Sequence, residues 1–182
     1  DQQALPQQRL VATVMSNLGF ERAWQARGGV LERTPVGDQH VYAAMVANSA
    51  ALGGEQSGHI LSAAHGLCGD GVLTALQLAT LCHGKQLSLE EWLDQSFKPF
   101  PQKLVNVLVP DHGLRKRWKD CQPLREAVWA AEAAMGEEGR VLVRASGTEP
   151  LLRIMVEAAD SQVVEHWTSK LAALAKKYLT LD

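Results

Sequence analysis

The run from Arg144 to Arg153 restricts the fold most, because it sets a short polar loop between two apolar stretches. Residues 141–143 and 151–156 have the apolar, partly alternating pattern that is typical of strands. The residues between them include two hydroxyl side chains, a glycine and a proline. The sequence therefore predicts a strand, a tight loop and a second strand, with an arginine at the edge of each strand.

The residue types of this loop suit an anion. Gly147 lets the backbone turn so that amide N–H groups can point at a ligand. Ser146 and Thr148 add hydroxyl donors, and Arg144 and Arg153 offer planar guanidinium groups that match phosphate oxygens. Two hypotheses follow from the residues alone: a site for a phosphate monoester, or an ordinary hairpin whose arginines are solvated edge charges.

A second polar loop spans residues 53–59 and has the sequence GGEQSGH, which is too rich in glycine for a helix. The carboxylate of Glu55 can accept hydrogen bonds from two hydroxyl groups at once, as a vicinal diol requires. Ser57 adds a donor and an acceptor. His59 can orient a ligand, act as an acid, or be a structural histidine. The alternative for the whole loop is a turn with solvated polar tips.

Strand and helix signals alternate through the first half of the chain. The predicted strands are 10–15, 30–34 and 60–61. The predicted helices are one between Asn17 and Gly28, one from Asp38 to Asn48, and one that begins at 69–71. Asp38 is expected to cap the second helix, with Val41, Met45 and Tyr42 directed inward. Alternation of this kind predicts an α/β domain on a mixed sheet.

The third helix carries Val72, Leu76 and Ala79 at helical spacing, so these residues are expected to share one face. Its start, Gly69-Asp70-Gly71, has a single carboxylate, whereas Mg²⁺ usually takes several hard oxygen ligands. We therefore interpret it as a helix start and expect no metal site in this chain. Ser88 and Glu91 form a capping-box signature for a further short helix.

A linker is predicted at 97–101, because two prolines there favour an extended chain. We place the domain boundary at this point, with domains at 1–96 and 97–182. The second domain is expected to hold a strand at 104–109, a helix opened by Pro123, the 141–156 hairpin, and a final helix capped by Asp160 or Ser161. This predicts a small α+β domain, an antiparallel sheet with helices packed on one face.

Composition and charge argue against some classes of function and indicate a cellular location. A net charge of −2 argues against a general binder of nucleic acid or anionic membrane. The one dense basic run, Arg115-Lys116-Arg117, is interpreted as a solvated face. Three cysteines without metal spacing suit reduced thiols, so a cytoplasmic location is expected, and no apolar run approaches the length of a membrane span. The polar start at Asp1 makes a fragment or a processed product plausible.

Three motifs resemble those of the α-D-phosphohexomutases. The run 144–153 is similar to that family's phosphate-binding loop in its last domain, and 53–59 is similar to its sugar-binding loop. The run VATVMSNLG at 11–19, followed by Val36-Gly37-Asp38, is closest to the branch of bacterial phosphoglucosamine mutases. The motifs stand in the family's order, and the similarity covers almost the whole chain.

The resemblance implies a role for each motif. It implies that Glu55 and Ser57 hold sugar hydroxyl groups, with His59 and Asp38 as further candidates. It implies that Arg144, Ser146, Gly147, Thr148 and Arg153 hold a phosphate. The implied activity is the interconversion of glucosamine 6-phosphate and glucosamine 1-phosphate, through a phosphoserine and a bisphosphorylated sugar, for amino-sugar nucleotide and cell-wall precursor synthesis.

Two family motifs are absent from the sequence: the loop with the active phosphoserine and the Asp-Gly-Asp-x-Asp-Arg run that binds Mg²⁺. The resemblance therefore implies no catalytic residue in this chain, with serine and Mg²⁺ supplied by N-terminal domains of the same polypeptide. Gln39-His40 replaces the usual Arg-Tyr, and Cys68 a usual threonine. The alternatives are a fragment of a phosphomannomutase or phosphoglucomutase, or a non-catalytic module that binds sugar phosphates.

Overall fold

The computed structural model describes residues 5–66 and 68–180. The chain divides into two compact units, Asp1–Pro99 and Phe100–Asp182. The elements of the first unit are β1 (Arg9–Thr13), α1 (Leu18–Gln25), β2 (Val30–Thr34), α2 (Asp38–Ala47), β3 (Leu52–Gly54), β4 (Ile60–Ser62), α3 (Gly71–Lys85) and α4 (Leu89–Ser96).

The first unit is built on a four-stranded sheet with the order β2-β1-β3-β4. β1 runs parallel to both β2 and β3, and β4 is antiparallel to β3. Successive side chains of a strand point to opposite faces, so Leu10 packs with α1 while Val11 packs with α2. The predicted mixed-sheet α/β architecture is confirmed. The carboxyl ends of β1, β2 and β3 therefore lie at one edge of the sheet.

The start of α2 differs from the prediction. Gly37, and not Asp38, is the residue that caps this helix, and it does so with a φ of 128°. A side chain would be strained at that φ, which explains why a glycine stands there. Asp38 is the first helical residue and is exposed, and its carboxylate accepts a hydrogen bond from the N–H of Gln39 at 2.8 Å. The prediction that Asp38 caps the helix was wrong by one residue.

The inward face of α2 was predicted in part. Val41 and Met45 are buried against β1 and β4 as expected, whereas Tyr42 is 46% exposed and does not face the core. Gly53 explains how α2 approaches so closely: a Cβ at this position would lie 2.7 Å from both Met45 Sδ and Val41 Cγ1. Gly53 and Gly54 belong to β3, so the polar loop itself begins at Glu55.

Replacing Gly53 by alanine is therefore expected to destabilise the first unit. Overpacking typically costs about 1–3 kcal/mol, and part of this is offset by the lower entropy of an unfolded alanine, which leaves a loss of about 1 kcal/mol. Urea unfolding of the chain measures it. Gly71→Ala is the matched control, because its Cβ would meet no atom of the described residues within 4 Å. Equal stability of both variants would contradict the close contact.

The apolar side chains of α3 do not form a packed face within the described residues. Val72 is 73% and Leu76 62% exposed, and α3 contributes no buried residue. Helical spacing correctly predicted the helix, but the packing of its face depends on what covers it. The start of α3 agrees with its interpretation: the carboxylate of Asp70 caps it by accepting from the N–H of Leu73 at 2.9 Å.

The second unit contains β5 (Gln102–Leu108), α5 (His112–Lys116), α6 (Gln122–Met135), β6 (Gly139–Ala145), β7 (Leu151–Ala158) and α7 (Ser161–Leu179). Its three strands form an antiparallel sheet with the order β5-β7-β6. The core lies between one face of this sheet and helices α6 and α7, where Val107, Leu152 and Ile154 meet Leu124 and Leu171. The predicted α+β architecture is confirmed.

The basic run in α5 is a solvated face only in part. Lys116 and Arg117 are exposed, but Arg115 is buried, with 6% of its surface accessible. Its Nη1 donates to the carbonyl oxygen of Val109 at 2.7 Å and lies 3.3 Å from that of Pro110. Arg115 therefore fastens the turn that follows β5, a role that composition alone does not reveal.

Candidate functional site

The hairpin of β6 and β7 places the two predicted arginines side by side. Arg144 pairs directly with Arg153 in the strand register, and Arg153 pairs in turn with Asn106 of β5. Residues paired in this way point to the same face of a sheet, with Cβ atoms about 4.5–5.5 Å apart. Alternation puts this polar row on the face opposite the helical core. The loop between the strands thus has a guanidinium group on each side.

The two arginines differ in their surroundings. Within residues 5–66 and 68–180, no hydrogen bond or ion pair holds the guanidinium group of Arg144. Partial burial lowers the pKa of Arg144 below its ordinary value, and the positive charge of Arg153 lowers this pKa further. Arg153 donates from Nη2 to Glu149 Oε2 at 2.5 Å, while its buried Nε has no hydrogen-bond partner in the described part of the chain. A bound anion would relieve the repulsion between the two cations.

The loop is held at its base and open at its tip. The N–H of Ser146 donates to the carbonyl oxygen of Leu151 at 2.8 Å, and Val109 N–H donates to that of Pro150 at 2.9 Å. Ser146 is 5% exposed, and its Oγ accepts from the N–H of Glu149 at 3.3 Å. A Cβ at Gly147 would meet nothing within 4 Å. Gly147 has no positive φ, so no unusual turn requires the glycine, and open space lies beside its Cα.

The second polar loop forms a compact hydrogen-bonded cluster. Glu55 Oε1 accepts from the N–H of Gly37 at 2.8 Å, which links this loop to the start of α2. Glu55 Oε2 lies 3.3 Å from Ser57 Oγ and 3.5 Å from His59 Nδ1, and Ser57 Oγ lies 3.3 Å from the same ring nitrogen. The structure thus brings three of the four predicted sugar-site residues together, with the Glu55 side chain 9% exposed.

This cluster borders a pocket of about 360 Å³ at the carboxyl edge of the parallel strands. The residues that line it are Thr13, Met15, Val36, Gly37, Glu55, Gln56 and Ser57. Such an edge is where open α/β sheets bind ligands, at the point where neighbouring connections leave in opposite directions. Asp38 and His59 do not line the pocket, and Asp38 instead faces solvent.

Sequence reasoning missed several residues of these two places. Thr13 and Met15 line the pocket because they lie at and just after the end of β1, a position that the parallel topology could have indicated. Asn106 and Glu149 flank Arg153, one through strand register and one through an ion pair. Neither relation has a signal in the linear sequence.

The described residues lack two features that metal-binding and membrane-spanning proteins require. Within 5–66 and 68–180 there is no group of three or more histidine, cysteine or acidic residues arranged to hold a metal ion. None of the helices in the same ranges has the length and apolar character needed to cross a bilayer.

Models of two protein domains match the chain. Residues 1–100 match the phosphoglucomutase/phosphomannomutase alpha/beta/alpha domain III, and residues 104–174 match the phosphoglucomutase/phosphomannomutase C-terminal domain. Similar curated proteins are phosphoglucosamine mutases. That of Prochlorococcus marinus (strain MIT 9313) is 82% identical over 98% of this chain, and that of Synechococcus sp. (strain RCC307) is 66% identical over 100% of it. The chain spans only 38% and 39% of their lengths.

Solved structures share the fold. Aspergillus fumigatus N-acetylphosphoglucosamine mutase superposes with a TM-score of 0.80 and 20% identity, over 98% of this chain and 40% of that protein. The same enzyme in complex with GlcNAc-6P and magnesium gives 0.78 and 19%, over 94% and 39%. The resemblance that the motifs indicated is confirmed, and the chain belongs to the phosphoglucomutase/phosphomannomutase family, of which it carries domain III and the C-terminal domain.

Proposed function

We propose that this chain is the sugar-phosphate-holding part of a phosphoglucosamine mutase, which interconverts glucosamine 6-phosphate and glucosamine 1-phosphate. The observation that carries the proposal is the direct pairing of Arg144 with Arg153 beside an open loop. Like charges placed opposite each other destabilise a sheet, so such a pair is expected where a ligand neutralises it. The curated relatives described above supply the choice of sugar.

The phosphate is proposed to bind over the loop at 146–149. Arg144 and Arg153 would donate from either side to its oxygens, in the planar geometry that suits guanidinium and phosphate. The space above Gly147 admits the ligand, and the hydroxyl groups of Ser146 and Thr148 supply further donors. The hydrogen bonds at the base of the loop already hold these donors in place, so binding an anion costs less conformational entropy.

The sugar hydroxyl groups are proposed to bind in the 360 Å³ pocket. One Glu55 oxygen is already engaged by the N–H of Gly37, which fixes the carboxylate in place. The other oxygen retains acceptor capacity beside Ser57, enough for a hydroxyl group of the ligand. His59 would orient this oxygen through its ring nitrogen. We assign Asp38 to the start of α2 and propose it as a rim residue at most.

Separate places for the phosphate and for the sugar hydroxyl groups suit a reaction in which a sugar phosphate is held in two orientations. The proposed mutase transfers a phosphoryl group from a phosphoserine, turns the bisphosphorylated sugar over, and returns the other phosphate to the serine. Each half-reaction requires the non-reacting phosphate to be held, and phosphoryl transfer depends largely on positioning and charge stabilisation. The chain's own residues would bind and orient. We propose that the serine and a Mg²⁺ site belong to further sequence of the same cytoplasmic polypeptide.

The purified 182-residue chain is accordingly expected to bind glucosamine 6-phosphate without converting it, because its sequence has neither the serine loop nor the aspartate-rich metal motif. A coupled assay with Mg²⁺ and a bisphosphate activator measures this, and turnover by the chain alone would overturn the proposal. Assaying the full-length protein on glucosamine, mannose and glucose phosphates separates the three mutase activities. No activity on any of them would favour a non-catalytic binding module.

A further inference from the structure

Glu149 is the last residue of the proposed phosphate loop at 146–149, and its side chain contacts one of the two arginines. Its Oε2 lies 2.5 Å from Arg153 Nη2, and it follows Thr148 directly in the loop. The Glu149 side chain is 50% exposed and that of Arg153 is 26% exposed, so both can be reached by a ligand. No role for this glutamate follows from its neighbours in sequence; the contact with Arg153 is a product of the folded hairpin.

The contact occupies a donor that the phosphate site needs. Arg153 donates to Glu149 from Nη2, and its buried Nε has no hydrogen-bond partner among the residues that the structure describes. Arg144 has no acidic partner among residues 5–66 and 68–180, so the carboxylate neutralises one side of the arginine pair and leaves the other open. A phosphate that approaches the Nη2 end of Arg153 therefore competes with Glu149 for that donor.

We propose that Glu149 is an internal competitor for Arg153 and sets how tightly, and for how long, the loop holds phosphate. The inference rests on the proposed function, since it assigns Glu149 to the same site. Before phosphate binds, the Glu149 carboxylate accepts from Arg153 in place of a phosphate oxygen. When phosphate binds, the carboxylate releases Arg153, and its negative charge then repels the phosphate. Glu149 acts through Arg153 and is thus a positioning residue.

Competition from Glu149 would help the proposed reaction by releasing the phosphate between its two half-reactions. A sugar that turns over between two half-reactions requires a phosphate clamp that opens as readily as it closes. An exposed ion pair contributes only about 0.2–1 kcal/mol, which a charged ligand can displace. Glu149 can therefore take Arg153 back as one phosphate leaves, which keeps the arginine oriented and shortens the lifetime of the bound state.

The test is calorimetric titration of the chain with inorganic phosphate at pH 8, where phosphate is mainly the dianion. Glu149→Gln keeps the size of the side chain and removes its charge. We expect it to tighten phosphate binding by about fivefold, from the lost ion pair and the lost repulsion together. NMR line shapes should show that the change lies mainly in a slower dissociation rate. Glu132→Gln, at an exposed position of α6, is the matched control for charge and is expected to change nothing.

A double-mutant cycle separates competition from a general charge effect. In the Arg153→Ala background, Glu149→Gln should lose the part of its gain that comes from the ion pair and keep only the part that comes from repulsion, because no arginine remains for the glutamate to occupy. If Glu149→Gln weakens phosphate binding or leaves it unchanged, while the wild-type chain binds phosphate, the inference is wrong and the proposed function stands. If the wild-type chain does not bind phosphate at all, both are wrong.

Discussion

Replacing Arg144 by alanine is expected to weaken phosphate binding by about tenfold to a hundredfold. A hydrogen bond to a charged group contributes roughly 1.5–3 kcal/mol, and each 1.4 kcal/mol corresponds to about a factor of ten. Arg144 is the better of the two arginines for this test, because it has no ion pair among residues 5–66 and 68–180 whose loss would complicate the result. Calorimetry with inorganic phosphate gives the change in Kd directly.

Two further variants make this result specific. Arg153→Lys is expected to fall short of wild-type affinity, since an ammonium group cannot form the paired contacts of a planar guanidinium group. Arg117→Ala removes the same charge from an exposed position of the same unit and should leave Kd unchanged. If Arg144→Ala binds phosphate as the wild type does, the arginines are solvated edge charges and the phosphate assignment fails.

Glu55→Gln is expected to separate sugar binding from phosphate binding. The glutamine carbonyl can still accept from the N–H of Gly37, but its NH₂ group replaces the oxygen that lies near Ser57 and His59. That side of the pocket loses a charged acceptor for a sugar hydroxyl, which corresponds to about a tenfold loss of affinity for glucosamine 6-phosphate. Affinity for inorganic phosphate should stay within about twofold of the wild type.

The control for this prediction is Glu90→Gln, which changes an exposed glutamate in the first turn of α4. It should alter neither affinity. Equal losses of sugar-phosphate and phosphate affinity in Glu55→Gln would indicate that the substitution disturbs the whole chain. Unchanged affinity for glucosamine 6-phosphate would remove Glu55 from the sugar site.

Local signals account for what the sequence predicted well. The capping box of Ser88 and Glu91 forms as expected, and the carboxylate of Asp160 caps α7. The Arg144–Arg153 hairpin was predictable because a period of two and a short polar loop determine a strand pair almost by themselves. The cluster of Glu55, Ser57 and His59 was likewise predictable, since its members lie within five residues of one another.

Relations between distant residues account for what the sequence did not predict. Asn106 lies beside Arg153 only because β5 pairs with β7 in one particular register. Arg115 is buried and donates to the carbonyl oxygen of Val109, a contact that exists only in the folded chain. The cap of α2 is Gly37 and not the predicted Asp38. Gly37 has a positive φ, which residue types alone do not determine. The exposed face of α3 shows the same limit, since helical spacing predicts a helix but not its neighbours.

Amide chemical-shift mapping of the chain tests the central claim most directly, because it reports where each half of a sugar phosphate binds. Titration with inorganic phosphate should shift the amide signals of residues 144–149 and 153 and leave those of 53–59 in place. Titration with glucosamine 6-phosphate should shift both sets. Phosphate that binds while the signals of 144–149 do not move, or glucosamine 6-phosphate that moves neither set, would contradict the account.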